Sequence, residues 1–557
     1  MEKEDYKKII ESKYNREAWK KLFYDIFKNK VTFRAEPIKQ NVDESIAKEA
    51  LLLGWLEFSN PDTNNKISLA IYEVALNENV QIERNKVSIR NLLLSNWHSN
   101  GFSGAFMFCY KFSESVLRFS YVSEYGEISN GTWIDHKTDP KRYTYFLGEG
   151  HRSRTAIDEF FKLKNEEISL QSITKAFSIE TLSERFFEGY KKQYEDIVAF
   201  ITGKRMVKVQ GKWIEENTPE GPNETIMQEF YRFENPEKTV RDYIKKLLGR
   251  LVFLQFLQKK GWLGVPAGKD WGNGDRDYMH NLYDNSSQKD DFIDKVLEPL
   301  FYDLNCKREN DLASSDVLGK NIKIPYLNGG LFETDSQDEA TFKLPERYIS
   351  SIFSFFDEYN FTIDENDPDD AEVGIDPEML GRIFENLLED NKDKGAFYTP
   401  KEIVQYMCKE ALVAYLITKT GIEETTIKEF VYAPSADHAF NEIQQSSLLA
   451  ALEQIRICDP AIGSGAFPMG LLNLLYNCRV ALTKEDEQAA AIKRHIIENS
   501  IYGVDIEKGA VDIARLRFWL ALIVDEDSPS VLPNMDFKIV EGNSLITTFM
   551  GHYLDLE

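Results

Sequence analysis

The sequence predicts a multidomain α/β protein. Its 557 residues exceed the usual size of one domain, and a 42% hydrophobic content with 13% aromatic residues is enough for several buried cores. Strand-like and helix-like runs alternate near both ends of the chain, and helix-like runs dominate between them. We therefore predict an α/β domain over residues 1–152, a helical connector over residues 153–375, and a parallel-sheet α/β domain over residues 376–557.

The first part contains both patterns. Helical spacing occurs over residues 45–53 and 87–95. Three apolar runs are typical of buried strands: residues 67–76, 104–110 and 117–122. The predicted domain ends after Gly148 and Gly150, which interrupt these patterns.

The middle part is predicted to be helical. Residues 186–200 and 240–260 have helical spacing, and Gly261 should end the second helix. Residues 264–284 are rich in Gly, Asn and Asp, which predicts a loop. Residues 357–381 are strongly acidic and contain no Lys or Arg, which favours a solvated linker.

Helix-like and strand-like patterns alternate regularly in the last part of the chain. Helical patterns occur over residues 402–416, 466–480 and 510–523. Short apolar runs typical of strands occur over residues 455–458, 501–504 and 537–540. This alternation predicts a parallel sheet with right-handed crossovers.

Charge and cysteine content bound the function. The net charge of −25 counts against a simple nucleic-acid binder, because phosphate neutralisation needs clustered Lys and Arg. The five cysteines are scattered without a CxxC pair, so neither a disulfide framework nor a zinc site is indicated. No apolar run is long enough to cross a bilayer and the first residues are charged, so we expect a cytoplasmic protein without membrane contact.

The strongest local motif covers residues 459–467, DPAIGSGAF. It follows a predicted strand and opens a predicted helix, and its glycines allow a ligand to approach the backbone. The spacing does not fit a dinucleotide loop, whereas an acid before a short glycine loop suits S-adenosylmethionine. Asp505, at the tip of the next strand, could accept hydrogen bonds from a ribose. A tight strand–helix turn without a ligand is the alternative interpretation.

Several motifs together resemble the Eco57I-type adenine-specific DNA methyltransferases, which occur in type IIG restriction–modification and phage-defence systems. Those of the cofactor domain are GAFYTP at 395–400, the glycine loop at 459–467, IYGVDI at 501–506, ARLRFWL at 514–520 and EGNSL at 541–545. Residues 324–332 and 376–388 also look like such proteins. The resemblance implies a Rossmann-like fold that binds S-adenosylmethionine.

The resemblance also implies residue roles in cofactor binding. These fall on Phe397, Tyr398 and Thr399 at the methionine end, on Asp459, Ala461, Gly463 and Gly465 at the amino-acid part, on Asp505 at the ribose, and on Ile506 and Asn543 at the adenine. The family usually has Asp where this chain has Asn543, and an amide can still make hydrogen bonds through both its oxygen and its nitrogen. Core packing is the alternative for Phe397 and Tyr398.

The family's catalytic tetrapeptide is absent from the chain. It consists of Asn or Asp, two prolines and an aromatic residue, and it holds the flipped adenine. We therefore expect a truncated enzyme with an incomplete methyltransferase domain. This chain alone should not methylate DNA, which labelled cofactor and unmethylated DNA would test.

Relatives of this type often carry a metal-dependent nuclease at the amino terminus, in which carboxylates bind Mg²⁺. The candidates here are Glu44, Asp62 and Glu73, but Ala75 stands where a Lys is expected, and Lys86 would have to replace it in space. A degenerate nuclease-like or DNA-facing domain is the prediction.

Double-stranded DNA is the predicted partner, weakly bound by this chain, with a possible partner chain that supplies the missing half. One alternative is a restriction nuclease subunit whose methyltransferase fold only senses cofactor. Another is a non-catalytic scaffold. Basic groups at residues 141–142, 151–154 and 204–212 could contact phosphates or merely be solvated.

Overall fold

A computed structural model of the chain describes residues 1–59, 66–80, 82, 101–129, 132–209, 212–328, 330–334, 336–341, 343–362, 370–375, 399, 401–435, 438–483, 489–546, 548–549 and 552–553. The chain forms two compact units. The first consists of Met1–Tyr190 and Ile352–Asp376, and the second of Lys191–Ser351 and Pro377–Glu557. These limits differ from the predicted boundaries at 152 and 375, so the three-domain division stays a prediction.

The α-helices of the described residues are, in chain order, α1 (Lys3–Ile10), α2 (Arg16–Phe27), α3 (Arg154–Leu163), α4 (Leu170–Ala176), α5 (Ile179–Thr202), α6 (Glu224–Phe230), α7 (Pro236–Lys259), α8 (Tyr278–Asn285), α9 (Glu298–Asn305), α10 (Glu346–Phe356), α11 (Lys401–Thr420), α12 (Glu424–Tyr432), α13 (Glu442–Gln454), α14 (Ala466–Thr483), α15 (Ala489–Asn499) and α16 (Lys508–Asp525). A π-helical turn, Ile293–Leu297, leads directly into α9.

The strands of the described residues are, in chain order, β1 (Val31–Lys39), β2 (Ala47–Ser59), β3 (Lys66–Leu76), β4 (Gly104–Tyr110), β5 (Leu117–Ser129), β6 (Thr132–Leu147), β7 (Lys204–Val209), β8 (Lys212–Asn217), β9 (Val265–Pro266), β10 (Ile322–Lys323), β11 (Asp370–Glu372), β12 (Ile457–Asp459), β13 (Ile501–Asp505), β14 (Ile539–Glu541), β15 (Thr548–Phe549) and β16 (His552–Tyr553).

The first unit is built on a mixed sheet in the order β1-β2-β3-β4-β5-β6-β11. Its neighbours are antiparallel except for β3 with β4 and β6 with β11, which are parallel. Helix α2 covers one face, where Trp19 and Phe23 pack on Phe108 and Phe119. The three predicted strands of this part are confirmed as β3, β4 and β5.

The predicted helix at residues 45–53 is wrong. Most of that segment belongs to β2, which pairs with β1 on one side and β3 on the other. Its Ala, Lys, Glu and Leu residues favour a helix locally, but two rows of inter-strand hydrogen bonds and the burial of Leu52 and Leu56 outweigh that weak preference. The helical spacing at residues 87–95 lies outside the described residues.

The acidic segment 357–381 is not a solvated linker where the structure describes it. Strand β11 extends the sheet of the first unit beside β6. Phe361, Thr362, Val373 and Ile375 are buried around it. The prediction weighed the many acidic residues of the segment more heavily than these few side chains, whose burial fixes the segment in the first unit.

The middle part is mainly helical, as predicted. The helices expected at 186–200 and 240–260 are confirmed within α5 and α7, and Gly261 follows with φ 73°. The loop predicted at 264–284 is wrong at its end, where α8 begins. Tyr278 and Met279 are buried there, and the Met279 N–H donates to the Gln258 side chain (3.0 Å), so contact with α7 selects the helix.

The second unit contains the predicted parallel sheet, in the order β12-β13-β14. Helix α14 leaves the end of β12 through the glycine loop, and α16 leaves the end of β13. Helix α16 is buried along most of its length. The predicted helices at 402–416, 466–480 and 510–523 are confirmed within α11, α14 and α16.

Candidate functional site

Three acidic side chains end the three parallel strands. Asp459, Asp505 and Glu541 are the last residues of β12, β13 and β14, and Asp505 lies opposite Glu541 in the register. Open α/β sheets bind ligands at this carboxyl edge. The loops that follow β12 and β14 meet here, because the Ser544 hydroxyl donates to the Pro460 carbonyl (2.8 Å).

The glycine loop needs glycine at two positions. Gly463 and Gly465 have φ 53° and 86°, which other residues rarely adopt. A Cβ on Gly463 would meet nothing within 4 Å, whereas one on Gly465 would lie 3.4 Å from the Ala514 Cβ. Gly463 therefore faces open space, and at both positions the positive φ, not a lack of room, is what favours glycine.

Asp505 holds the backbone of two loops. Its Oδ2 accepts a hydrogen bond from the Gly463 N–H (2.8 Å), and its Oδ1 accepts one from the Glu507 N–H (2.9 Å). The carboxylate thereby fixes the glycine loop against the end of β13. Its predicted contact with a ribose stays a prediction.

Among the described residues, only one of the two Asp459 carboxylate oxygens has a hydrogen-bond donor. Oδ1 accepts from the Ala461 N–H (3.1 Å), whereas Oδ2 is buried and accepts no hydrogen bond from any described residue. Burial raises the pKa of Asp459, the Asp505 charge raises it further, and the Ala461 N–H opposes both. A ligand that donates a hydrogen bond or carries positive charge would therefore stabilise the Asp459 carboxylate.

The loops after β13 and β14 expose apolar side chains beside this acidic edge. Ile506, Leu545 and Ile546 are 68%, 86% and 55% exposed. Asn543 is exposed, and its Oδ1 accepts from the Leu545 N–H (3.0 Å). Ile506 is thus accessible to a planar ring, as its predicted role requires, although no described contact tests that role.

The predicted motif at 395–400 is described only at Thr399. Phe397 and Tyr398 lie outside the described residues. Thr399 comes two residues before α11, whose first turns pack beside the start of α14: a Cβ on Gly470 would lie 2.8 Å from the Val404 Cγ1. This packing places the start of α11 beside the helix that follows the glycine loop.

Sequence reasoning gave no role to three residues that shape the site. Arg517 is buried, and its guanidinium donates to the Ser464 carbonyl (2.9 Å) from beneath the glycine loop. Ser544 ties the two loops together, as described above. Cys408 is buried near Asp459, and desolvation with the Asp459 charge raises the pKa of its thiol to about 12. Only Arg517 left a signal, as a cation within an apolar helix.

The nuclease candidates do not assemble a metal site in the described part of the chain. Glu44 lies exposed in a turn, and Glu73 is buried in β3. Arg16 donates to both Glu73 oxygens (2.6 and 2.7 Å), and the Tyr14 hydroxyl donates to one of them (2.8 Å). No group of three metal-ligating side chains occurs among the described residues. Asp62 and Lys86 lie outside them.

The basic groups considered for phosphate contact are mostly engaged within the protein. Arg142 is buried. Arg152 and Arg154 form ion pairs with Asp357 and Glu358, and Lys204 pairs with Glu237.

In the part of the chain that the structure describes, no helix combines the length and apolarity needed to cross a bilayer.

The glycine loop thus lies between a parallel strand and a helix, beside an acid at the end of the next strand, at the edge where open α/β sheets bind ligands. No protein-family profile matches the chain. A protein of Methanocaldococcus jannaschii that is named type II restriction enzyme and methyltransferase RM.MjaORFECS2P is 32% identical over 330 residues. The match covers 54% of this chain and 27% of that protein, so the chain spans about a quarter of the relative's length.

Two solved DNA complexes show weak structural similarity. The type IIL restriction–modification enzyme MmeI gives a TM-score of 0.39 at 15% identity, over 65% of this chain and 40% of that one. The DrdV complex gives a TM-score of 0.27 at 12% identity, over 95% and 38%.

Proposed function

We propose that the chain is the cofactor-binding part of a restriction–modification enzyme that methylates adenine N6 in DNA. The name of the curated relative and the ordered motifs at 395–400, 459–467, 501–506 and 541–545 support this class. The cofactor in the proposal is S-adenosylmethionine, bound at the carboxyl edge of the β12-β13-β14 sheet.

The observation that carries the proposal is the buried Oδ2 of Asp459, which lacks a donor among the described residues. A buried carboxylate oxygen without a hydrogen bond is costly, so a donor is expected there. The ammonium group of the cofactor's amino-acid part would supply that donor together with an opposite charge. The residues present therefore fit the cofactor at this end.

The remaining contacts are proposed from their positions. Gly463 leaves open space for the amino-acid part, and Asp505 lies at the strand end where a ribose would bind. The exposed Ile506 would pack on the adenine ring, and Asn543 would make hydrogen bonds to its edge. Thr399, with the neighbouring Phe397 and Tyr398, would enclose the methionine end.

Methyl transfer also needs groups that hold the base receiving the methyl group. S-adenosylmethionine, when bound, supplies an electrophilic methyl group, and the receiving amine must be held in line with it on a base extruded from the duplex. The 557 residues contain no Asn/Asp-Pro-Pro-aromatic tetrapeptide for that task. We propose that residues outside this sequence supply it. This chain's own residues would bind and orient the cofactor.

Calorimetric titration with S-adenosylmethionine tests the proposal. We expect saturable binding that Asp459→Asn weakens by about 10- to 100-fold, the effect of losing a charge-assisted hydrogen bond. Glu424→Gln is the matched control, because it makes the same charge change at an exposed residue of α12 in the same unit. Absence of binding by the unaltered chain, or an equal loss in the control, would contradict the proposal.

A methyl-transfer assay tests whether the catalytic groups lie outside this sequence. With labelled cofactor and unmethylated DNA, this chain should transfer no methyl group. Transfer by the chain alone would refute the statement that the catalytic groups lie elsewhere, while leaving the cofactor site intact.

A further inference from the structure

The second unit contains another cavity, of about 470 Å³, none of whose lining residues comes from the sheet edge. Helix α7, the π-helical turn with α9, and residues 314–338 contribute its walls. Its volume falls within the range of small-molecule sites. The proposed methyltransferase function gives it no role.

Aromatic rings form much of the lining, including Tyr243, Phe301 and Phe332. The Arg250 guanidinium lies over the Phe301 ring (4.8 Å to the centroid) and donates to both Asp338 oxygens (2.9 and 3.1 Å). It also donates to two backbone carbonyls. The positive charge of Arg250 is thus already matched by Asp338.

Two further carboxylates line the cavity, Asp294 and Glu298. The Oδ1 of Asp294 is buried and accepts no hydrogen bond from any described residue. Burial first, then the charges of Asp294 and Asp338, raise the pKa of Glu298 to about 7, against the weaker opposing effects of Arg250 and Lys295. Lys246 also pairs with Asp338 (2.8 Å), so both neighbouring cations, Arg250 and Lys246, contact the same carboxylate. Asp294 and Glu298 form no ion pair with a described residue, and a cationic ligand would supply one.

Local backbone geometry brings these carboxylates to the cavity. Asp294 lies in the π-helical turn, and Glu298 is the first residue of α9, which follows without a break. π-Helical turns are rare and are frequently found at functional sites. Asp294 and Glu298 are four residues apart on continuous helical backbone, so their carboxylates lie on the same face.

We propose that this cavity binds an organic cation, a primary ammonium or guanidinium group on an apolar stem. The carboxylates would bind the charged head, and the aromatic rings would pack on the stem and attract the cation. A metal ion fits less well, because no three carboxylate, His or Cys side chains of the described residues are placed to hold one. The cation could be a free amine or the side chain of another protein, since the chemistry of recognition is the same.

Calorimetry with matched probes tests the proposal. Benzylammonium represents a free amine, N-acetylarginine methylamide represents a side chain, and benzyl alcohol is the neutral control. We expect at least one cation to bind with a dissociation constant on the order of 1 mM or lower, which is typical of ligands this small. Benzyl alcohol should bind at least tenfold more weakly.

The pH profile separates binding from a structural effect. The charged fraction of Glu298 should rise about tenfold from pH 6 to pH 8, given its pKa of about 7, and cation affinity should rise with it. Glu298→Gln should lower the affinity at pH 8 about tenfold and abolish the pH dependence. Glu309→Gln, an exposed residue beyond α9, should change neither.

Three results would overturn the inference: no binding of either cation, equal binding of benzyl alcohol, or an unchanged pH profile in Glu298→Gln. Asp294→Asn provides a second variant if Glu298→Gln does not fold, as judged by its thermal midpoint. S-adenosylmethionine binding is measured in the same samples, so failure of this site and failure of the proposed function are distinguishable.

Discussion

At the residue scale, the contact of Gly503 with Ile462 shows how a missing side chain positions the site. A Cβ at Gly503 would lie 2.2 Å from the Ile462 Cδ1, so only glycine lets the loop after β12 lie flat against β13. The same contact brings the Gly463 N–H to Asp505. Close packing at Gly503 and the hydrogen bond to Asp505 thus both hold the glycine loop against β13.

We predict that Gly503→Ala destabilises the second unit by about 2 kcal/mol through overpacking. Combining it with Ile462→Val, which removes the clashing Cδ1, should recover part of that loss. Urea unfolding of the two single variants and the double variant measures the coupling. Additive losses would show that the two side chains do not compete for the same space.

The second residue-scale prediction concerns Glu298. Its pKa is raised from 4.5 to about 7 in the folded chain, so its contribution to stability is fully present below pH 4.5 and is lost as the pH rises through 7. Glu298→Gln should remove this loss. Between pH 5 and pH 8 the unaltered chain should lose about 1–2 kcal/mol relative to the variant, after allowance for solvent screening of a half-exposed group. Urea unfolding of both proteins at both pH values tests this prediction. An equal change in their free energies of unfolding between the two pH values would contradict it.

At the element scale, the attachment of α2 to β3 reveals the role of Glu73. The family resemblance made this residue one of three weak candidates for a metal ligand, in a domain predicted to be a degenerate nuclease. In the folded chain, Tyr14 and Arg16, at the start of α2, bind its carboxylate instead. The Tyr110 hydroxyl on β4 also approaches it (3.3 Å). The group joins a helix to two strands.

We predict that Arg16→Met destabilises the first unit by about 3 kcal/mol, because it leaves a buried carboxylate without its partner. The double variant Arg16→Met with Glu73→Gln should lose less than the sum of the two single variants. Hydrogen exchange of the β3 and β4 amides reports the change. Rescue of Arg16→Met by Mg²⁺ would instead favour the nuclease interpretation.

Element predictions from sequence were accurate where the local pattern and the tertiary environment agreed. The helices α5, α7, α11, α14 and α16 and the three parallel strands were all predicted from periodicity. The segment 45–53 was not, because its residues favour a helix and only pairing with β1 and β3 makes it a strand. Helix α8 was missed because its polar composition resembles a loop until contact with Gln258 is considered.

At the scale of the whole molecule, the chain is acidic and divided into two units, and the proposed cofactor site uses residues of the second unit alone. The net charge of −25 still argues against tight DNA binding by these residues. The described basic groups add to that argument, since Arg152, Arg154 and Lys204 are paired with acids.

We predict that S-adenosylmethionine slows hydrogen exchange in the loops after β12, β13 and β14 and leaves the sheet of the first unit unchanged. At 100 times its dissociation constant the cofactor should stabilise the unit that binds it by about 2.7 kcal/mol. Mass spectrometry of exchanged peptides tests this. Equal protection of β2–β5 would show that the effect is not confined to the second unit.

The sequence by itself determined the order of the motifs, the α/β class of the last part, and the identity of the acids and glycines at the sheet edge, because these follow from periodicity and residue chemistry along the chain. Only the tertiary structure decided which groups are already used. Glu73 is bound by Arg16, Asp505 holds the glycine loop, and no described residue donates to the Oδ2 of Asp459. Hydrogen-bond partners come from distant parts of the chain, so no local pattern records them.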